Sequence, residues 1–182
     1  VIHFAGLKAV EDSILKPILY WQSNIVGTLN LLHVMKNNNC KNLVFSSSAS
    51  IYESRDNLLL SEKSTTNPIN PYANTKLTIE KILKDIFNSS RDWKFASLRY
   101  FNPIGAHSSG LFGEDPNGYP NNIFPIICNT AFGSQKVLKI YGNDWPTKDG
   151  TTIRDYIHVM DLADVHLLVL NYLMKNEPQN LK

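Results

Sequence analysis

Hydrophobic runs bounded by polar turns predict three strands in the first part of the chain, at residues 1–4, 43–47 and 95–101. Between them lie two segments with the 3.6-residue period of amphipathic helices. The first helical segment covers residues 24–37 and ends in a run of three asparagines. Its predicted buried face consists of Ile25, Leu29, Leu32 and Met35.

The second helical segment has a well-marked start. Asn70 is predicted to be its N-cap, and Pro71 fits the first helical position, where a backbone N–H is not needed. Its predicted buried face consists of Ile79, Ile82, Leu83, Ile86 and Phe87. The resulting β-α-β-α-β order predicts the α/β class, with a doubly wound parallel sheet covered by helices on both faces. Ligands of such sheets bind beyond the carboxyl ends of the strands.

A change of composition after Asn102 predicts a different organisation in the rest of the chain. Gly, Pro, Asn and Asp dominate as far as Asn122, which is typical of a long functional loop and of the start of a second lobe. The elements expected after this loop are a short helix capped by Asn122 or Asn121 and running through Cys128 and Phe132, a strand at residues 137–141, and a helix at residues 161–175.

Composition and charge narrow the class of partner. The chain has 182 residues, 43% hydrophobic and 19% charged, with a formal net charge of +2 and no cluster of basic residues. This favours a small-molecule partner over nucleic acid or a membrane surface. Cys40 and Cys128 lie far apart without metal-ligand spacing, so neither a disulfide framework nor a metal site is expected. No apolar run reaches the length of a membrane helix, and we expect a cytoplasmic protein.

A tyrosine and a lysine four residues apart, Tyr72 and Lys76, lie at the start of the second predicted helix. At this spacing both side chains project from one face and their polar ends can approach the same point. A free tyrosine has a pKa of about 10, and a nearby ammonium favours the phenolate, so we expect Lys76 to lower the pKa of Tyr72 and make it a working base. Taken alone, such a pair is more often part of an exposed helix surface.

Three serines, Ser46, Ser47 and Ser48, follow the predicted central strand at its carboxyl end, where a hydroxyl can orient a substrate hydroxyl. The alternative is an ordinary turn. Taken together, Ser48, Tyr72 and Lys76 resemble the catalytic triad of the short-chain dehydrogenase/reductase superfamily, in its extended branch that modifies sugar nucleotides.

Four longer stretches are similar to the UDP-glucose 4-epimerase family in particular. They are HFAGLKAV at residues 3–10, RYFNPIGAH at 99–107, GEDP at 113–116 and RDYIHVMDLA at 154–163. The resemblance implies a Rossmann-like fold with bound NAD as cofactor. It also implies the interconversion of UDP-glucose and UDP-galactose in galactose metabolism, by oxidation to a 4-keto intermediate and non-stereospecific return of hydride.

The resemblance also assigns roles to individual residues. Ser48, Tyr72 and Lys76 are the catalytic group, and all three also contact NAD. The other residues expected to contact NAD are Phe4, Ala5, Gly6, Lys8, Asn24, Tyr100 and Phe101. The residues expected to contact the sugar nucleotide are Ser48, Tyr72, Asn102, Asn122, Tyr141 and Arg154, with Tyr141 beside the uracil and Arg154 on the diphosphate. The structural alternatives are a plain turn at Gly6, core packing for Tyr100 and Phe101, and an ion pair of Arg154 with Asp155.

The family's domain plan is expected to be incomplete in this chain. Residues 1–105 correspond to the C-terminal part of the NAD-binding domain and residues 106–182 to the start of the nucleotide-sugar lobe, with residues 153–175 packing back on the NAD-binding domain. The Gly-rich phosphate turn is expected upstream of Val1, together with the missing N-terminal strands. We therefore interpret the chain as an interior fragment that is inactive alone, and expect a homodimer at full length.

Two residues depart from the family's pattern, and two other functions remain as alternatives. Ser23 precedes Asn24 where the family often has a second asparagine, and Glu53 stands where the family has glycine. A nucleotide-sugar dehydratase is the nearest alternative enzyme, but it needs an acidic pair where this chain has Ala49 and Ser50. A non-catalytic sensor of NAD or sugar nucleotides is the alternative of another class.

Overall fold

The computed structural model of the chain describes residues 1–53, 59–116, 118, 120 and 122–182. These residues form two compact units, which we call unit 1 (residues 1–100 and 163–182) and unit 2 (residues 101–162). The boundary predicted from the sequence follows residue 105, and the structure places it a few residues earlier, after residue 100. Residues 163–182 belong to unit 1, whereas residues 153–162 belong to unit 2.

Six strands are present in the described chain, in two sheets. They are β1 (Ile2–His3), β2 (Asn42–Ser46), β3 (Lys94–Leu98), β4 (Asn102–Ile104), β5 (Tyr156–His158) and β6 (Asn180–Leu181). The main sheet lies in unit 1 and has the order β1-β2-β3-β6, with all neighbours parallel. In unit 2, β4 and β5 form a separate parallel pair.

The helices cover the ranges between these strands. They are α1 (Val10–Leu15), α2 (Pro17–Tyr20), α3 (Gly27–Asn37), α4 (Pro71–Ser89), α5 (Ile123–Ala131) and α6 (Val159–Lys175). A π-helical turn, Trp21–Val26, joins α2 to α3, and a short 3-10 helix, Ala49–Ile51, follows β2. Within the described ranges, every helix is too short or too polar to span a lipid bilayer.

Successive side chains of the central strands point to opposite faces of the main sheet, and both faces are covered. On one face, Leu43 and Phe45 of β2 and Phe95 of β3 pack with side chains of α3 and α4. On the other face, Val44 and Ala96 pack against Leu173 of α6. Side chains are buried on both faces, which explains why the middle of each strand is largely apolar in the sequence. The predicted doubly wound parallel sheet is confirmed.

The predicted start of α4 is also confirmed. Asn70 adopts an extended conformation, and its side-chain oxygen accepts a hydrogen bond of 2.9 Å from the N–H of Ala73. Pro71 occupies the first helical position. The local chemistry of the cap therefore fixes where the helix begins, and with it the position of Tyr72 in the first turn.

Several predicted elements differ in the structure. Helical structure begins at Val10, well before the predicted residue 24, and β6 follows the last predicted helix, where no strand was predicted. The predicted strand at residues 137–141 is wrong, because this segment is irregular and has no strand partner among the described residues. Helix α5 begins at Ile123 with Asn122 at the cap position but without a side-chain capping bond, and Asn121 lies outside the described residues.

Candidate active site

Two of the predicted catalytic hydroxyls meet in unit 1. Ser48 follows β2 and stands at the N-cap of the 3-10 helix, while Tyr72 lies in the first turn of α4. The side chains of Ser48 and Tyr72 lie near each other. The hydroxyl of Ser48 also lies 2.8 Å from that of Ser50, and both Ser48 and Tyr72 are half-buried. The phenol therefore faces the strand-end serine and not open solvent.

The third predicted catalytic side chain, Lys76, reaches the same strand end from the next turn of α4. Its Nζ donates a hydrogen bond of 2.8 Å to the carbonyl oxygen of Ser46. The ammonium lies 5.8 Å from the centroid of the Tyr72 ring and 4.9 Å from that of Phe45. Lys76 is 6% exposed. The structure thus brings Ser48, Tyr72 and Lys76 together at the carboxyl end of β2.

Burial dominates the electrostatics of this group. Desolvation lowers the pKa of Lys76 from 10.5 to about 8. Desolvation also raises the pKa of Tyr72, and the neighbouring hydroxyl of Ser48 acts in the opposite direction without reversing the change. The pKa of Tyr72 is therefore above its ordinary value in the chain alone, and removal from water is the largest cause.

The turn after β1 carries four of the residues predicted to contact NAD. Phe4, Ala5, Gly6 and Lys8 are exposed, and the centroid of the Phe4 ring lies 4.5 Å from that of the His166 ring. Gly6 has a φ of +153°, and a Cβ there would lie 3.0 Å from the Oδ1 of Asn24. A residue without a side chain is required at this point by both the backbone conformation and the close approach.

Asn24 supports this turn from within the π-helical segment. It is 2% exposed, and its Oδ1 accepts a 2.8 Å hydrogen bond from the N–H of Leu7. Its Nδ2 donates to the carbonyl of Leu7 at 3.1 Å and to the hydroxyl of Thr75 at 3.0 Å. Both ends of the amide are thus bonded within the protein, so Asn24 shapes the turn. Single π-helical turns are frequent at functional sites.

The two predicted aromatic residues occupy different surroundings. Tyr100 is half-buried in unit 1, where its hydroxyl hydrogen-bonds that of Ser46 and its ring meets the edge of His166. Its carbonyl also accepts a hydrogen bond from the N–H of Ala49. Phe101 belongs to unit 2 and is 41% exposed. Tyr100 is thereby attached to the same strand end as Lys76.

Unit 2 contains a cavity of about 560 Å³. Four of its lining residues are the predicted substrate contacts Asn102, Asn122, Tyr141 and Arg154. Arg154 is exposed, and no ion pair with Asp155 is found in the part of the chain that the structure describes. The cavity therefore combines a guanidinium with polar amides and aromatic rings, a donor set that suits an anionic, ring-containing ligand.

Three groups near these sites were missed by sequence reasoning. Thr75 is fully buried and links Asn24 to the backbone carbonyl of Tyr72. Glu80 and Arg99 form a buried ion pair next to the strand ends. The position of Glu80 one turn beyond Lys76 was a signal for its location, but nothing in the sequence indicated its partner.

Comparisons with known proteins agree with this architecture. A UDP-glucose 4-epimerase from Arabidopsis thaliana is 54% identical over 173 residues, which are 95% of this chain and 49% of that protein. Two solved UDP-glucose 4-epimerase structures each match all of this chain, which covers 54% of each of them. The structure from Stenotrophomonas maltophila, with bound NAD and formylated UDP-arabinopyranose, has 43% identity and a TM-score of 0.94. That from Bifidobacterium longum, with NAD⁺ and UDP, has 46% identity and a TM-score of 0.92.

The chain thus spans about half the length of the relatives it matches. Its sheet order, its strand-end serine and its tyrosine-lysine helix all lie within the matched region. The model of the NAD dependent epimerase/dehydratase family matches residues 1–181, and this chain belongs to that family.

Proposed function

We propose that the protein containing this chain is an NAD-dependent epimerase that interconverts UDP-glucose and UDP-galactose. The observation that carries the proposal is the meeting of Ser48, Tyr72 and Lys76 at the carboxyl end of β2, where the Lys76 ammonium lies 5.8 Å from the centroid of the Tyr72 ring. A phenol, a hydroxyl and an ammonium at one strand end can move a proton to and from a sugar hydroxyl.

In this proposal the phenolate form of Tyr72, which the ammonium of Lys76 favours, accepts the proton of the reacting sugar hydroxyl, and Ser48 orients that hydroxyl by a hydrogen bond. Burial raises the pKa of Tyr72, so its phenolate is a stronger base than that of a free tyrosine and holds the proton once it has received it. The same group then returns the proton to the sugar oxygen. Because the sugar is oxidised and then reduced, one phenol serves both half-reactions and no net oxidation occurs.

The residues around Lys76 suit the binding of NAD. An ammonium has three N–H donors. One of them reaches the carbonyl of Ser46, and no other hydrogen-bond acceptor for Lys76 is found among the described residues. A buried ammonium needs further acceptors, and the hydroxyls of the nicotinamide ribose supply them. The exposed turn at residues 4–8 offers backbone for the cofactor to lie against. NAD, when bound, accepts and returns the hydride.

The cavity of unit 2 suits the nucleotide part of a UDP-sugar. Arg154 can present two parallel N–H donors to diphosphate oxygens. Tyr141 is 83% exposed and lines the cavity, so its ring is accessible for stacking on a base. The side chain of Asn102 donates to the carbonyl of Asp155 at 2.9 Å, which leaves its amide oxygen for the ligand. Two of the related structures hold UDP and formylated UDP-arabinopyranose, respectively.

Three further expectations stay predictions. The role in galactose metabolism and the homodimer are predicted from the resemblance, and the cytoplasmic location is predicted from the sequence. The proton-transfer mechanism is likewise a proposal, since the roles of Ser48, Tyr72 and Lys76 are inferred from their arrangement and from the family.

The decisive experiment uses the complete gene product that contains this chain. UDP-galactose is incubated with the purified protein, and UDP-glucose is measured by chromatography. Tyr72→Phe should reduce epimerisation by at least about a hundredfold, since general acid-base catalysis contributes about 10²–10⁴. Tyr172→Phe, which removes a phenol hydroxyl from the half-exposed tyrosine of α6, is the matched control and should keep full activity.

The outcome separates the candidate functions. Formation of a dehydrated sugar instead of UDP-glucose would identify a dehydratase, and binding of UDP-galactose without turnover would identify a sensor. Near-normal turnover by Tyr72→Phe would remove Tyr72 from the proposed role.

A further inference from the structure

Helix α4 carries a second buried charged residue one turn beyond Lys76. The carboxylate of Glu80 forms an ion pair with Arg99, which directly follows β3. Arg99 donates from Nε to Oε1 at 2.9 Å and from Nη2 to Oε2 at 2.5 Å, so the pair is held by two parallel bonds. The side chains of both residues are 3% exposed.

Further hydrogen bonds attach this ion pair to its surroundings. The hydroxyl of Ser47 donates to the Oε1 of Glu80 at 2.7 Å. The Nη1 of Arg99 donates to the hydroxyl of Tyr52 at 3.2 Å and to the carbonyl of Glu62 at 3.1 Å. The network therefore joins α4 to the residues that follow both central strands. Such a fully bonded pair is costly to break, because either charge would be left buried alone.

Glu80 pairs with Arg99 and not with Lys76, its neighbour on α4. Lys76 and Glu80 are four residues apart, a spacing at which opposite charges can pair, although the order of lysine before glutamate is the weaker one. Lys76 instead donates to the carbonyl of Ser46. No ion pair between Lys76 and Glu80 is present in the described ranges. The planar fork of Arg99 can make two bonds to the carboxylate where an ammonium would act as a point charge.

Whether Glu80 pairs with Arg99 or with Lys76 determines where the Lys76 ammonium points. Tyr72 lies one turn before Lys76, and Glu80 lies one turn after it. An ammonium paired with Glu80 would therefore be drawn along the helix away from the phenol. We propose that Arg99 is a positioning residue, which occupies the carboxylate of Glu80 and so leaves the ammonium of Lys76 at the strand end beside Tyr72. This inference rests on the proposed function, in which Lys76 serves the reaction.

The charged and titratable groups around Lys76 make the proposal measurable. They are Tyr72 and Glu80 on α4, His3 on β1, and Arg99 and Tyr100 after β3. Burial and the charge of Lys76 lower the pKa of His3, so this imidazole is the neutral neighbour at pH 7. Glu80 and Arg99 carry opposite charges, so their ion pair has no net charge. Burial then decides the pKa of Lys76, which is about 8.

The test is a direct titration of the Lys76 amine by heteronuclear NMR, using the complete gene product with isotope-labelled lysine. The Lys76 signal is identified by its absence in Lys76→Arg, and in the unsubstituted protein it should titrate near pH 8. In Arg99→Met the carboxylate of Glu80 is left uncompensated, and the midpoint of Lys76 should rise by about 1–3 pH units. Adding Glu80→Gln to Arg99→Met should return the midpoint toward its original value.

A matched control removes a cation from another ion pair. Lys41 pairs with Asp92 at the surface, so Lys41→Met should leave the Lys76 midpoint unchanged. If Arg99→Met does not fold, as judged by circular dichroism, Glu80→Gln alone provides the test. It leaves the positive charge of Arg99 without its partner and should lower the Lys76 midpoint.

The proposal is overturned if the folded Arg99→Met protein, or the Glu80→Gln protein, titrates at the same pH as the unsubstituted one. A purely structural ion pair would give that result. Because NMR titration does not require turnover, an inactive protein would refute the proposed function while the role of Arg99 is still decided. Where turnover is found, the activity-pH profile of Arg99→Met should move in the same direction as the NMR midpoint.

Discussion

Replacement of Asn24 by alanine tests how the turn after β1 is held. The Asn24 amide is buried and makes three side-chain hydrogen bonds, two to the backbone of Leu7 and one to the hydroxyl of Thr75. Alanine removes all three bonds. The backbone N–H and carbonyl of Leu7 are then left without these partners at a glycine-containing turn of unusual conformation.

The expected loss of stability follows from these contacts. A typical hydrogen bond contributes about 1 kcal/mol net, and a buried group left without a partner costs about 1–3 kcal/mol. Leu7 is half-buried, so water can satisfy part of its backbone in the variant, whereas Thr75 is fully buried. Thr75 retains its bond to the carbonyl of Tyr72 at 2.7 Å. We therefore expect Asn24→Ala to lower the free energy of unfolding by about 3 kcal/mol.

The matched control is Asn38→Ala. Asn38 is an exposed asparagine at the end of α3, and its side chain makes one hydrogen bond of 2.9 Å to the carbonyl of Val34. The same chemical change there should cost within about 0.5 kcal/mol, because water replaces the lost partner. Both variants are compared with the unsubstituted protein by urea unfolding followed by far-ultraviolet circular dichroism. The comparison requires that the free energy of unfolding falls with urea concentration at the same slope in all three proteins.

Equal losses in Asn24→Ala and Asn38→Ala would refute the reasoning, since the buried amide would then contribute no more than an exposed one. A second measurement connects the turn to the proposed function. The amount of NAD retained by the purified complete gene product should fall in Asn24→Ala and stay unchanged in Asn38→Ala.

Three further predictions concern other parts of the chain. Burial lowers the pKa of Lys76 from 10.5 to about 8, so between these values the unfolded chain binds a proton that the folded chain has lost. The free energy of unfolding should therefore rise with pH in this window by about 1.4 kcal/mol per unit, and urea unfolding of Lys76→Met should lack this rise. Gly105→Ala would place a Cβ 2.5 Å from the Nε2 of His158 at a φ of +92°, while Gly110→Ala at +71° meets nothing within 4 Å. Thermal unfolding should show a loss at least about 1 kcal/mol larger for Gly105→Ala, and equal losses would show that the ring yields. Arg154→Lys keeps the charge but loses the paired donors, so calorimetric titration with UDP should show about tenfold weaker binding, and unchanged affinity would place the diphosphate elsewhere.

The central strands and α4 could be predicted because their signals are local. Residues 43–46 are buried on both faces of the sheet and are largely apolar in sequence for that reason. The cap at Asn70 and Pro71 marks the start of α4 by chemistry confined to a few residues. Once these elements were placed, the spacing of Tyr72 and Lys76 brought both side chains to the end of β2.

Other elements gave no such pattern. Ile14, Leu15 and Ile18 of α1 and α2 are 61–79% exposed, so this region shows no apolar stripe separated from a polar face. The strands β4, β5 and β6 have three residues or fewer, and their pairing depends on residues distant in the chain. The segment at residues 137–141 has a strand-like composition, but a strand forms only where another strand can pair with it.

The electrostatics of the site could not be predicted either, because they also depend on residues that are distant in the chain. Sequence spacing places Lys76 near Tyr72, but it cannot show how far each is removed from water, and burial reverses the expected direction of the Tyr72 pKa. The partner of Glu80 lies 19 residues away on another element, whereas the partner suggested by spacing is Lys76. Contacts between residues distant in the sequence thus determine both the pKa of the Tyr72 phenol and the group to which the Lys76 ammonium bonds.

Two independent attachments fix the register of α4 at the site. Thr75 is bonded to Asn24, which holds the turn after β1, and Glu80 is bonded to Ser47 and Arg99 at the strand ends. A slip of one residue would rotate the side chains of α4 by about 100° and carry Tyr72 away from Ser48. The same slip would break both buried attachments, each of which leaves polar groups without partners. The direction of the phenol is therefore secured by residues on either side of it that take no part in proton transfer themselves.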